Sequence, residues 1–88
     1  MSATGTVTVT DPTGLHARPA VKLTKLAKKF ESTIEIRAGD RWINAKSPNA
    51  VMKLKARQGE VLEFRADGVD EEAAIEALLT LMESEIEG

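Results

Sequence analysis

The hydrophobic period of this chain alternates between two residues and 3.6, and 88 residues that do so have few ways to fold. Thr6-Val7-Thr8-Val9-Thr10 alternates strictly, which predicts a strand with Val7 and Val9 turned inward. Asp11-Pro12-Thr13-Gly14 then reads as a turn. From Ala17 to about Phe30 the period becomes helical. Ala20, Leu23, Ala27 and Phe30 recur on one side, joined by Leu26, while Lys22, Lys25, Lys28 and Lys29 take the wetter side.

Thr33 to Arg37 alternates again, and Ala38-Gly39-Asp40-Arg41 turns the chain into a strand over Trp42-Ile43-Asn44-Ala45. If Ile43 and Ala45 face the core, Trp42 faces the other way, so the sheet has a solvated side. Ser47 followed by Pro48 is an N-cap and first-turn signature, predicting a short helix that Gln58-Gly59 ends. Glu60 to Ala66 reads as a fourth strand with Leu62 and Phe64 inward. Asp70 is expected to cap a last helix, with Glu71 and Glu72 complementing its dipole and Ile75, Leu78, Leu79, Met82 and Ile86 as its buried stripe. The order β-α-β-β-α-β-α predicts one α+β domain over residues 1–88, a two-layer sandwich with a mainly antiparallel sheet and three helices on one face.

Composition narrows the function classes. With 42% hydrophobic and 30% charged residues, the chain is too apolar for a disordered tail. No cysteine is present, which excludes disulfides and thiolate metal sites, and the single histidine leaves the carboxylates without metal-ligand spacing. Uncharged runs are too short to span a bilayer and the start lacks a leader pattern, so a reducing, cytoplasmic setting is expected. Only 3% of residues are aromatic, which argues against stacking on nucleic acid bases. The net charge of −2 hides an asymmetry. Residues 16–57 hold eleven Lys/Arg against three Asp/Glu, whereas residues 70–88 hold seven acids and no base. A basic face on an acidic chain suits an anionic partner or ligand. No unusually large apolar surface is evident in the pattern, so a monomer is expected.

His16 stands between the Gly14 loop and a helix starting at Ala17, at or beside the N-cap. First-turn amides have no intrahelical acceptor and carry the positive end of the helix dipole, which makes an anion site of phosphate character. The same potential favours the uncharged imidazole, the form whose lone pair can attack phosphorus. Arg18 adds a permanent cation with several donors within one turn, and Pro19 costs the first turn nothing. A Ser/His/acid triad finds no orienting acid in the pattern.

Gly14-Leu15-His16-Ala17-Arg18-Pro19-Ala20 resembles the active-site signature of the HPr family, the histidine-containing phosphocarriers of the bacterial phosphoenolpyruvate-dependent phosphotransferase system. The similarity runs through length, element order, the Ala45-Lys46-Ser47 segment and the acidic last helix. It implies an open-faced β-sandwich that is a carrier rather than an enzyme and needs no cofactor. His16 would take a phosphoryl group on Nδ1 from enzyme I and pass it to a histidine of an enzyme IIA in carbohydrate uptake, steadied by Arg18 and by the backbone of Ala17 and Arg18. Lys22, Lys25, Lys28 and Met52 would meet these partners.

The resemblance also marks Ser47, which in some relatives is phosphorylated by a dedicated kinase, although here an N-cap worth about 1 kcal/mol accounts for it. Pro48 and Asn49 stand where many relatives carry exposed apolar residues, and Lys55 where most carry glycine. These departures keep open a regulatory protein of a nitrogen-related or dihydroxyacetone-kinase branch, whose phosphorylation state is read by a target. A nucleic-acid module on the basic face is disfavoured by the overall acidity.

Overall fold

The computed structural model describes residues 2–86, with side chains through Ser84. Its elements are β1 (Ala3–Thr8), α1 (Ala17–Ala27), β2 (Thr33–Arg37), β3 (Ile43–Asn44), α2 (Pro48–Lys53), β4 (Val61–Asp67) and α3 (Glu71–Ile86). The strands form one sheet in the order β1-β4-β2-β3, and every pairing is antiparallel. The expected α+β open-faced sandwich is therefore the observed one.

Period-2 patterning explains the two faces. Inward positions Val7, Ile34, Ile36, Leu62, Phe64 and Ala66 are buried, and they pack under Ala20, Leu23 and Ala27 of α1 and Ala74, Ile75, Leu78 and Met82 of α3. Outward positions pair across strands: Arg37 lies opposite Glu63 and Glu35 opposite Arg65. These pairs close at 2.8 and 2.7 Å. Both guanidinium groups lie over the Trp42 ring, 4.5 and 4.1 Å from its centroid, so the solvated face is covered by charge stacked on one aromatic. Trp42 indeed faces away from the core.

Several boundaries differ from the expected ones, each for a local reason. β1 starts at Ala3 rather than Thr6, because β4 is long enough to offer partners as far as Ala66. Gly5 lies beneath α3, where an added Cβ would come within 2.6 Å of Leu79. Val9 leaves the ladder yet stays bonded, donating to the Glu60 carbonyl at 2.9 Å and accepting from the Gly59 amide at 2.7 Å. α1 stops at Ala27, short of Phe30, whose carbonyl accepts instead from the Lys46 ammonium at 2.8 Å. The third strand shrinks to two residues, although the Ala45 amide still donates to the Ile34 carbonyl at 2.9 Å. α2 ends at Lys53, well before Gln58-Gly59, because Lys55 adopts a left-handed φ of 51°. β4 is offset by one residue at each end, and the side chain of Ile86 lies outside the described ones.

Asp70 has the backbone role of an N-cap, its carbonyl accepting from the Ala74 amide at 2.9 Å, but its carboxylate also works across the fold. It accepts from the amides of Glu31 and Ser32, each at 2.9 Å, and from the Ser32 hydroxyl, tying the start of α3 to the entry of β2. The Ser32 hydroxyl and then the Glu31 amide hold this carboxyl below its ordinary range. A carboxyl depressed in the folded state stabilises fully above its unfolded value of about 4 and loses that contribution as pH falls through the folded value. Asp70→Asn should therefore lower Tm at pH 7, with the gap to the unaltered protein closing below about pH 4. Thermal unfolding followed from pH 7 to pH 2 checks this, and a gap independent of pH would contradict it.

Candidate functional site

The loop before α1 is pinned at three points. The Gly14 amide donates to the Asp11 carbonyl at 2.8 Å and closes the turn. Gly14 has φ 74°, a conformation that glycine adopts without strain. The Leu15 side chain is buried, and its amide donates to the Ala56 carbonyl at 2.9 Å. Segments 14–15 and 55–57 run in close contact here: a Cβ on Gly14 would fall 2.5 Å from the Ala56 oxygen and 3.2 Å from the Arg57 Cα.

The next residue is His16, and it is the N-cap of α1. Its backbone is extended (φ −112°, ψ −173°), and its carbonyl accepts the first helical bond from Ala20 at 3.1 Å. The imidazole makes no capping hydrogen bond and is half-buried, so it stands at the helix end without consuming the helix donors. Those donors are the amides of Ala17 and Arg18, since Pro19 has none. Pro19 itself is buried and anchors the first turn. Arg18 is exposed, and its side chain has no partner among the described residues, which leaves its fork free for an oxyanion. α1 carries no acid in its first turn to compete for these donors.

The other expected residues fall around this point in different ways. Lys22, Lys25 and Lys28 are exposed on α1. Met52 is 44% exposed on α2, which packs against α1. Ser47 caps α2, its hydroxyl accepting from the Ala50 amide at 3.3 Å. A cavity of about 510 Å³ between the β2–β3 turn and α2 includes Ser47 and Lys53 but not His16. Sequence reasoning missed the part played by residues 55–57, whose backbone supports Leu15 directly before the histidine. Among the described residues no helix is long and apolar enough to cross a membrane, and no group of His, Cys, Asp and Glu could hold a metal ion.

The chain matches the family model described as "PTS HPr component phosphorylation site" over residues 3–84. It is 45% identical over 78 residues to the phosphocarrier protein HPr of Xylella fastidiosa, covering 89% of this chain and 88% of that protein. It is also 45% identical over 69 residues to the phosphoryl donor subunit DhaM of the phosphoenolpyruvate-dependent dihydroxyacetone kinase of Providencia stuartii, where it spans 14% of the relative. The solved histidine-containing phosphocarrier protein of Mycoplasma superposes with a TM-score of 0.92 at 40% identity, covering 98% of this chain and 100% of the other.

Gly14→Ala tests whether the close approach positions the site. Left-handed backbone alone costs an alanine about 1 kcal/mol, and the contact with the Ala56 carbonyl must also be relieved. Tm should fall by more than about 5 °C and the His16 ring resonances should shift. Gly59→Ala, where an added Cβ meets nothing within 4 Å, should cost less and leave those resonances in place.

Proposed function

The chain belongs to the HPr family of phosphocarriers, and on that footing we propose that His16 is the residue that carries the phosphoryl group. The observation that supports this reading is the N-cap imidazole, held at the start of α1 without a capping hydrogen bond. The Nδ1 lone pair attacks the phosphorus of phosphorylated enzyme I, forming a P–N bond on His16 as the bond to enzyme I breaks. In the second step a histidine of an enzyme IIA attacks the same phosphorus, and the His16 P–N bond breaks. The amides of Ala17 and Arg18 and the Arg18 guanidinium face the phosphoryl oxygens during both steps.

A carrier must bind its cargo weakly enough to release it. An exposed helix end supplies partial charges and one mobile cation, while the partner's site supplies alignment. The basic row Lys22, Lys25 and Lys28 and the exposed Met52 lie on neighbouring helices, a surface suited to acidic partners with an apolar centre. The chain works in the cytoplasm as a carrier for carbohydrate uptake. Its match to whole HPr proteins over most of their length favours this over the dihydroxyacetone-kinase branch, where it resembles a small part of the relative. Ser47 acts as a structural cap in this reading, and stoichiometric phosphoserine formed by a cognate kinase would overturn that role.

Incubation with enzyme I and labelled phosphoenolpyruvate should give an acid-labile, base-stable phosphohistidine that is absent from His16→Ala. Labelling of His16→Ala would sink the assignment. Arg18→Ala should keep the Tm of the unaltered protein, since the side chain has no partner among the described residues. Its transfer should slow roughly ten- to hundredfold, the effect of losing one charge-assisted hydrogen bond.

A further inference from the structure

Lys55 is the one residue other than glycine with positive φ among the described residues. A side chain in this region strains the backbone, and such residues persist where the surrounding structure or a function requires them. Nothing in the fold uses this lysine: its side chain is exposed and has no hydrogen-bond or ion-pair partner among the described residues. The neighbouring Ala56 is buried and holds the Leu15 amide at 2.9 Å; Arg57 beyond it is exposed, its amide donating to the Glu60 carboxylate at 3.1 Å while its side chain has no partner among the described residues. Lys55 and Arg57 thus flank the one residue whose carbonyl supports the loop directly before His16.

The charge pattern says what could meet them. Residues 12–30, which contain His16 and α1, hold five Lys/Arg and no acid; residues 41–59, which contain α2 and the strained segment, also hold five and no acid. The histidine loop belongs to the first stretch and is bonded to the second through the Ala56 carbonyl. A partner approaching His16 along α1 alone would leave the second stretch facing solvent, whereas an acidic surface reaching across the loop would engage both.

We propose that Lys55, with Arg57 two residues on, is a second cationic contact for an acidic surface on the phosphoryl donor protein, on the segment whose Ala56 carbonyl holds the loop before His16. This rests on the phosphocarrier reading and adds a partner-recognition residue to it. Lys55 acts on encounter with the donor rather than on the phosphoryl group itself, so its effect belongs in KM and in salt dependence.

The test measures phosphorylation by enzyme I and phosphoenolpyruvate as a function of carrier concentration. Lys55→Gly suits the left-handed backbone, so its Tm should be unchanged or raised by up to about 4 °C. Its KM as a substrate of enzyme I should rise roughly three- to fivefold at low ionic strength with kcat unchanged, and the difference should vanish near 0.5 M salt. Lys55→Asn, which also tolerates this backbone, should behave the same way, and Lys55→Arg should match the unaltered protein. An unchanged KM in both neutral variants overturns this proposal alone, as does a rise that persists at high salt or is shared by Lys55→Arg. Failure of the unaltered protein to accept phosphate removes the phosphocarrier reading and this proposal together.

Discussion

The fold depends on β4, the strand that pairs antiparallel with both β1 and β2. Leu62, Phe64 and Ala66 point inward and are fully buried, while Glu63 and Arg65 point outward and pair with Arg37 and Glu35. A slip of one residue would exchange these sets, moving charge into the core and apolar surface into water. The register is therefore strongly specified, and through it the placement of the helices that cover the inner face. On the outer face Trp42 serves both arginines at once, so the solvated side presents a charged lattice rather than an apolar sheet.

The functional loop is mounted on this scaffold by backbone contacts. Leu15 plugs the core, Gly14 allows the close approach, and the Ala56 carbonyl accepts from the Leu15 amide that joins the two. The imidazole itself makes no capping hydrogen bond, which suits the carrier role proposed for it. Hydrogen bonds thus fix the backbone around His16, whereas the exposed Arg18 side chain has no partner among the described residues. The chain can present the same helix end to successive partners without rebuilding it.

Much of this was legible in the residues. The period changes located the seven elements, Ser47-Pro48 marked the start of α2, and the placement of His16 before Ala17 put it at or beside the N-cap, which it is. Boundaries were less legible. The end of α1 depends on a carbonyl taken by Lys46 from another part of the chain, and the length of β1 on how far β4 extends. Asp70 was correctly marked as a helix start, but its carboxylate partners are 38 and 39 residues away, which no local pattern encodes.

Local chemistry determined what each segment was: alternation made strands, helical spacing made amphipathic helices, and proline, glycine and serine punctuated them. It also determined that the lone histidine would meet a helix dipole, because cap and helix adjoin in the chain. Tertiary structure decided which distant backbone carbonyl would hold the residue before that histidine, and that Lys55, next to that carbonyl in the chain, would take a left-handed conformation. Those outcomes depend on packing between segments some forty residues apart, and the sequence pattern of either segment is silent about the other.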